Sequence, residues 1–194
     1  NNYYTYASEQ QKKLEGTFFL EHQGYWLNFL KTGVNPIQLA RSVSTNEQTK
    51  KKHTSVLLQL NSAVNGRINK LAMKVGLTKF EMLKSIFDIF LSKVTGQDRF
   101  ITATPLANRP DPAYLNTIGL FSNLIPLESR VDAESTILDF YASNKEKIRT
   151  SIKYGEYPFS EIAALRKQLH PNSLDRVDGI VFVYEENMVD ELHL

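Results

Sequence analysis

Acid–base chemistry at neutral pH needs a side chain that titrates near neutrality, and histidine does so without help from its surroundings. The sequence has four histidines, His22, His53, His170 and His193. They are far apart in the chain, and none lies in a motif that would join it to a second catalytic group. We therefore predict surface or helix-packing roles for all four.

Other common catalytic patterns are also missing from the sequence. There is no GxSxG nucleophile elbow, no HExxH zinc motif, and neither of the phosphate-binding loops GxxxxGK[ST] and GxGxxG. Asp139, Glu146 and Glu156 are spread over predicted helices and turns, so we expect solvated charges and not paired acids. Because the chain has no cysteine, disulfides and thiolate metal sites are excluded.

The stretch from Arg99 to Leu127 is the best candidate for a functional region. Phe100 to Thr104 is β-branched and aromatic, which predicts a strand, and the prolines of Asn108 to Pro112 exclude a helix. Gly119 between two apolar residues indicates a bulge or a close approach to the backbone. A long loop between two strands is a usual place for a site, although an ordinary surface crossover is the open alternative.

This stretch resembles part of the condensation domains of nonribosomal peptide synthetases. TPLANRPDP followed by IGLFSNLIPL is similar to the family pattern TPxANRxxP and IGxFVNTLPL, with departures at Ser122, Leu124 and Ile125. Three further segments resemble family motifs: YTYA from Tyr4, YPF from Tyr157, and GIVFVYEEN from Gly179. The four segments occur in the family's order and are spread over most of the chain.

The resemblance implies roles for six residues. Asn123 would face the substrate tunnel, with satisfaction of local backbone as the alternative. Arg109 would pair with an aspartate of the N-terminal lobe, with an exposed loop arginine as the alternative. Gly119 would support the tunnel, and a structural corner would be formed by Tyr157, Pro158 and Phe159. From its place in an apolar run after a glycine, we also expect Phe121 to lie buried beneath the Gly119 turn.

The resemblance also implies an architecture for residues 1–194. They would form part of the C-terminal lobe of the chloramphenicol-acetyltransferase-like fold, an α/β structure with a mixed sheet covered by helices in two layers. The N-terminal lobe, with its HHxxxDG motif, and the final strands and helix would lie outside the chain. By itself the chain would then be inactive.

Amide bond formation between a carrier-bound acyl or peptidyl donor and a carrier-bound aminoacyl acceptor is the implied activity. Its substrates would arrive on phosphopantetheine arms, with no cofactor bound directly by the chain. The implied partners are the N-terminal lobe, the peptidyl carrier and adenylation domains, and a second copy of the chain through the uncovered face. The alternatives are a free-standing acyltransferase of the same fold and a catalytically silent module that recruits partner proteins.

The composition is that of one domain or lobe. The chain has 194 residues, of which 42% are hydrophobic, and a net charge of +2. This mild charge does not predict a nucleic-acid partner, and we interpret Lys50–Lys52 as a solvated loop. No apolar run approaches the ~20 residues that cross a bilayer, so we expect no membrane partner. The lack of cysteine is compatible with a reducing compartment, and we expect a cytoplasmic location.

Periodicity predicts the elements that would position these residues. Helices are expected over 3–14, 17–31, 62–75, from the Thr78–Glu81 capping box to Gly96, from Ile137 to Ile152, and from Pro158 to Leu169. Strands are expected over His53–Leu60, Phe100–Thr104, Leu124–Val131 and Ile180–Tyr184, with Pro126 placing the third at an edge or bulge. We expect Trp26 to anchor a helix to the sheet. We also expect an apolar stripe in the core, made of Phe80, Leu83, Phe87, Phe90 and Val94.

Overall fold

The structure is a computed structural model that describes residues 2–39, 55–109, 111–173 and 176–185. Within these ranges the chain alternates helices with a small sheet. The elements in order are α1 (Tyr3–Leu14), α2 (Thr17–Lys31), α3 (Ser62–Lys74), α4 (Lys79–Thr95), β1 (Arg99–Leu106), a 3-10 turn (Pro112–Tyr114), β2 (Asn123–Arg130), α5 (Ile137–Lys153) and α6 (Phe159–Leu169).

Local sequence signals set the ends of the helices. The predicted capping box of α4 is confirmed: the Thr78 hydroxyl accepts the Glu81 N–H at 3.1 Å, and the Glu81 carboxylate accepts the Thr78 N–H at 2.7 Å. The helix ends at Gly96, whose φ of 71° is left-handed and suits a residue without a Cβ. Among the described helices, none is both long enough and apolar enough to cross a bilayer.

The sheet is built around β1. This strand pairs antiparallel with β2, with Thr102 opposite Leu127 and Ala103 opposite Pro126. On its other side, the Ile101 N–H donates to Asn35 O at 3.1 Å and the Ala103 N–H donates to Ile180 O at 2.8 Å. Because Ala103 bonds away from β2, the missing N–H of Pro126 costs the ladder nothing, and the predicted edge position of β2 is confirmed within the described residues.

One of the four predicted strands is wrong in the described residues, and another is present only as a short pairing with β1. Residues 55–60 form no strand and are exposed, and residues 53–54 lie outside the described ranges. The segment predicted as a strand from Ile180 makes only one parallel bridge, between Val181 and Ala103. The alternating sequence of residues 55–60 suits a strand, but a strand forms only where a ladder partner is present. The segment from Ile180 has such a partner in β1, where the Phe182 N–H donates to Ala103 O at 2.8 Å.

The main core joins α2, α5 and α6 to the sheet. Trp26 is fully buried in the same cluster as Ile125 and Leu127 of β2, and its indole N–H donates to Tyr154 O at 3.1 Å. The predicted role of Trp26 as an anchor between helix and sheet is therefore confirmed. A polar group at the edge of this large ring needs a partner when buried, and the turn after α5 supplies it.

The predicted apolar stripe of α4 is partly wrong. Phe90 and Val94 are 57% and 61% exposed, whereas Lys84, Ser85 and Asp88 are fully buried. The polar residues face Asn144 of α5, whose amide donates to Ser85 Oγ at 2.9 Å and to Asp88 Oδ2 at 3.2 Å. Helical spacing identifies the faces of α4, but the partners offered by α5 decide which face turns inward.

Candidate functional site

Arg109 organises the loop between β1 and β2 from the inside. Its Nη1 donates to the backbone oxygens of Tyr114 and Thr117, the latter at 2.9 Å. Its guanidinium lies 4.1 Å from the centre of the Phe121 ring, a cation–π contact. The side chain is half-buried, so the alternative of an exposed loop arginine is wrong.

Phe121 and Gly119 pack the inner side of this loop against tyrosines of α1. Phe121 is 3% exposed, which confirms its predicted burial, and its ring centre lies 4.5 Å from that of Tyr6. A Cβ on Gly119 would lie 2.2 Å from Cδ2 of Tyr3. The predicted close approach is thus present, with a tyrosine ring against the backbone of Gly119.

Two tyrosines tie the same loop to α1. Tyr114 donates its hydroxyl to Glu9 Oε2 at 2.6 Å, and this hydrogen bond raises the pKa of Tyr114 to about 12. The Tyr6 hydroxyl accepts from Asn108 Nδ2 at 3.2 Å. The sequence reasoning missed Tyr114 and Glu9, although the YTYA segment already marked the start of α1 as a family motif.

Asn123 connects the start of β2 to the corner between α5 and α6. Its Nδ2 donates to Gly155 O at 2.8 Å and to Tyr157 O at 2.7 Å, and its Oδ1 accepts the Phe159 N–H at 3.0 Å. Both amide hydrogens are therefore used on backbone. The partners are more than thirty residues away in sequence, so Asn123 joins distant segments and does not satisfy its own turn.

The corner itself consists of Tyr157, Pro158 and Phe159. Tyr157 is 1% exposed and packs on Phe19, with ring centres 5.1 Å apart. Pro158 is the residue before α6, where its fixed φ and missing N–H are compatible with a helix start. The structure thus brings Asn123 and the corner together, while Arg109, Gly119 and Phe121 form a neighbouring cluster that packs on Tyr3 of α1.

No acid–base centre is assembled in the described residues. His22 is buried against Phe18, with ring centres 3.9 Å apart, and burial lowers the pKa of His22. His170 follows α6, while His53 and His193 lie outside the described ranges. Within those ranges no three His, Asp or Glu side chains form a group that could hold a metal.

The three acidic residues that the sequence predicts as separate solvated charges, Asp139, Glu146 and Glu156, lie in different surroundings. Asp139 accepts from the Thr136 hydroxyl at 2.6 Å at the start of α5, and Glu156 pairs with Lys13 at 2.7 Å. Glu146 lines a cleft beside α5. Glu156 is thus ion-paired and not simply solvated, and no two of these three acids form a pair.

Known proteins resemble this chain over most of its length. A family profile described as condensation domain matches residues 1–192. The chain is 24% identical over 164 residues to gramicidin S synthase 2 of Brevibacillus brevis, and 27% identical over 158 residues to surfactin synthase subunit 1 of Bacillus subtilis (strain 168). These matches cover 83% and 81% of this chain but 4% of each relative. The chain therefore spans a small part of the relatives it matches.

Solved structures show the same fold. The X-domain from teicoplanin biosynthesis matches with a TM-score of 0.77 and 21% identity, over 91% of this chain and 40% of that one. The first condensation domain of the CDA synthetase matches with a TM-score of 0.74 and 14% identity, over 92% of this chain and 38% of that one. The fold class is thus a mixed helix and sheet structure of the chloramphenicol-acetyltransferase-like kind. By its family profile and its fold, the chain belongs to the condensation domain family.

Proposed function

We propose that this chain is part of the C-terminal lobe of a condensation domain in a nonribosomal peptide synthetase. The observation that carries the proposal is the family match over residues 1–192. The names of the matched relatives, which include plipastatin, surfactin and gramicidin S synthases, support peptide synthesis as the setting. The activity is amide formation between a carrier-bound acyl or peptidyl donor and a carrier-bound aminoacyl acceptor.

In this reaction the acceptor amine attacks the carbonyl carbon of the donor thioester. The new C–N bond replaces the C–S bond, and the proton lost by the amine passes to the released thiol. Both reactants are held on phosphopantetheine arms, which are substrates here and not bound cofactors. The base that would relay this proton is proposed to come from the N-terminal lobe, because among the described residues His22 is buried against the Phe18 ring.

The proposed contribution of this chain to the reaction is to help hold the two reactants in the correct position. Correct placement of two reactants can lower the activation barrier of their reaction by roughly 7–11 kcal/mol in favourable cases. In the proposal, Asn123 is a positioning residue: its three backbone hydrogen bonds hold the start of β2 against the corner and so fix one wall of the channel. Gly119 gives the adjoining loop its close packing on Tyr3.

Arg109 has a second proposed role in the complete domain. Its Nη1 is used by loop carbonyls, so Nε and Nη2 are the donors with which it would bind an aspartate of the N-terminal lobe. The two carbonyl hydrogen bonds and the cation–π contact with Phe121 restrict the movement of the guanidinium plane. A fixed plane lowers the entropy lost when a bidentate pair forms.

The proposed partners are the N-terminal lobe and the carrier and adenylation domains, which would share the cytoplasm with this chain. The loop offers apolar side chains for a contact: Ile118 is 96% exposed, Leu120 is 75% exposed and Leu115 is 63% exposed. Apolar groups presented together on an ordered loop are typical of an interface. Without its N-terminal lobe, we expect the chain to pair with a second copy through this loop.

The test is a condensation assay with loaded donor and acceptor carriers, followed by mass spectrometry. We expect amide product from a complete domain that contains this chain and none from the chain by itself. Product from the isolated chain would contradict the inactive-lobe assignment. A folded complete domain that binds both carriers without forming product would contradict the amide-forming function and favour a silent recruiting module.

A further inference from the structure

A cleft of 420 Å³ lies between the end of α3 and one side of α5, away from the loop and corner described above. Its apolar lining comes from Val75, Leu138, Tyr141 and Ala142. This volume lies within the range of ligand-binding clefts. None of these residues takes part in the proposed channel wall.

The helix beside the cleft is strongly basic. α3 carries Arg67, Lys70 and Lys74 and no acidic residue. These three residues are exposed, and their spacing of three and four places them on one face of the helix. Lys74 itself lines the cleft, so this row of charges leads directly into the apolar recess.

A fourth cation stands on the opposite wall. Lys145 of α5 lines the cleft, and its Nζ lies 3.8 Å from the position that a Cβ on Gly76 would take. Glu146 is the one acid among the lining residues. In the described part of the chain, none of the four cations has a carboxylate within ion-pair distance. The charges are therefore available to an external group.

We propose that this α3–α5 surface, meaning the cleft together with Arg67, Lys70 and Lys74, binds an acidic amphipathic helix of a partner protein. One apolar side chain of that helix fills the cleft, and its carboxylates face the basic row. The row spans about 10 Å at 1.5 Å per residue, which is two turns of a facing helix. Recognition of an amphipathic helix by an apolar groove with complementary charge is a common mode of binding.

The shape of the surface favours a protein helix over other anionic partners. A lipid surface is bound by apolar side chains that project from a helix, whereas the apolar groups here line a recess. A nucleic acid would be held through its phosphates and would make little use of an apolar recess. The combination of a recess and a short basic row fits a helix with one apolar anchor.

The direct test uses the 194-residue chain and a capped, fluorescein-labelled helical peptide. The peptide has about 16 residues, long enough to form a helix in water, with glutamates along one side and a single leucine anchor. We expect saturable binding by fluorescence anisotropy. Replacing the glutamates by lysines, or the leucine by serine, should each weaken binding about tenfold or more.

Matched variants of the chain separate this surface from general charge. Lys70→Glu/Lys74→Glu should weaken binding about tenfold, whereas Lys93→Glu/Lys167→Glu, with the same change in net charge on α4 and α6, should change it by less than about twofold. Ala142→Trp should fill the cleft and weaken binding about tenfold with unchanged thermal unfolding.

Three results would overturn the proposal. One is an equal loss in the two double variants, which would assign binding to overall charge. The second is unchanged binding with Ala142→Trp or with the serine-anchored peptide, which would remove the cleft from recognition. The third is tighter binding to phosphatidylserine vesicles or to single-stranded RNA than to the peptide, which would assign the surface to a membrane or a nucleic acid.

Discussion

At the scale of single residues, the two polar side chains that the family resemblance singled out, Arg109 and Asn123, are hydrogen-bonded to backbone. Arg109 donates to two loop carbonyls, and Asn123 bonds to three backbone groups of the corner after α5. Irregular segments leave carbonyl and N–H groups without ladder partners, and such groups must be satisfied when they are buried. A planar guanidinium and an amide meet this need because each carries several hydrogen-bonding atoms in fixed directions.

Phe121→Ala tests the packing of the loop. The ring is buried among Tyr3, Tyr6 and Tyr114 and beneath Arg109, so its loss should lower the free energy of unfolding by about 3–5 kcal/mol. Urea unfolding measures the change, and Ile118→Ala in the same loop should alter stability by less than about 0.5 kcal/mol. A loss below about 1 kcal/mol for Phe121→Ala would show that the ring is not packed.

Asn123→Ala tests the three hydrogen bonds that join the start of β2 to the corner at Tyr157, Pro158 and Phe159. Removing the amide leaves two carbonyls and one N–H without this partner, which should cost about 1–3 kcal/mol. In the complete domain, amide formation should fall further than the loss of folded protein explains, whereas exposed Ser122→Ala should leave both unchanged. A lower melting temperature with unchanged turnover would assign Asn123 to stability alone.

At the scale of elements, a buried polar network joins α4 to α5. Lys84 and Asp88 form an ion pair one helical turn apart, and Asn144 of α5 donates to Asp88 and Ser85. Burial lowers the pKa of Lys84, and the Asp88 carboxylate opposes that shift. Because every removed partner leaves a buried group unsatisfied, this network allows α4 and α5 to pack in few other registers.

Lys84→Met tests how much the buried Asp88 carboxylate destabilises the fold when its paired cation is removed. We expect a loss of about 3–5 kcal/mol in unfolding free energy, because the fully buried Asp88 then has no cation beside it. The double variant Lys84→Met/Asp88→Asn should be more stable than Lys84→Met, since the new amide is neutral and can still pair with Asn144. Strictly additive losses in this double-mutant cycle would show that the two charges are not coupled.

The capping box of α4 should make stability depend on pH. Burial by itself would raise the pKa of Glu81, but hydrogen bonds from Arg149 and Thr78 outweigh it and lower the pKa of Glu81. A carboxyl whose folded pKa is lowered stabilises the fold above its unfolded pKa, and this stability is lost as pH falls through the folded pKa.

The measurement is urea unfolding between about pH 6 and pH 3. Glu81→Gln should be less stable than the unchanged chain near pH 6 and should lose less stability on acidification. The exposed Glu134→Gln serves as the control and should follow the unchanged chain. Parallel pH profiles for Glu81→Gln and the unchanged chain would contradict the assignment.

At the scale of the whole molecule, the loop between β1 and β2 is held by contacts on its inner side and exposes apolar side chains on its outer side. Arg109, Tyr114 and Phe121 hold its inner side, while Ile118 and Leu120 point to solvent. Rigid presentation lowers the entropy lost on binding, which favours a contact surface. This is the surface through which we expect the chain to meet a second copy when its N-terminal lobe is not present.

Ile118→Asp tests that contact. Multi-angle light scattering of the chain should show self-association that rises with concentration, and Ile118→Asp should abolish it, because a buried unpaired carboxylate is costly in an interface. Leu20→Asp, which places the same charge at an exposed position of α2, should leave it unchanged. A monomer at all concentrations would remove the proposed homodimer without affecting the family assignment.

The sequence by itself determined the features that depend on neighbours along the chain. Helix faces and caps follow from spacings of three and four residues, so the capping box at Thr78, the stop at Gly96 and the six helices could be predicted. The two central strands and the burial of Phe121 followed from local composition around a proline-rich loop. The family resemblance was also a property of short ordered motifs, and the family profile confirms it.

Only the tertiary structure decided which groups face each other across long sequence separations. The partners of Asn123 lie more than thirty residues away, and Lys84 and Asp88 turn inward because Asn144, fifty-six residues beyond Asp88, offers them a polar neighbour. The apolar segment around Val56 has a strand-like sequence but no ladder partner in the described residues, whereas the segment from Ile180 pairs with β1 at one parallel bridge. A strand needs a neighbouring strand, a buried ion pair needs polar neighbours, and a buried amide needs hydrogen-bonding groups. The tertiary fold brings these partners together from distant parts of the sequence.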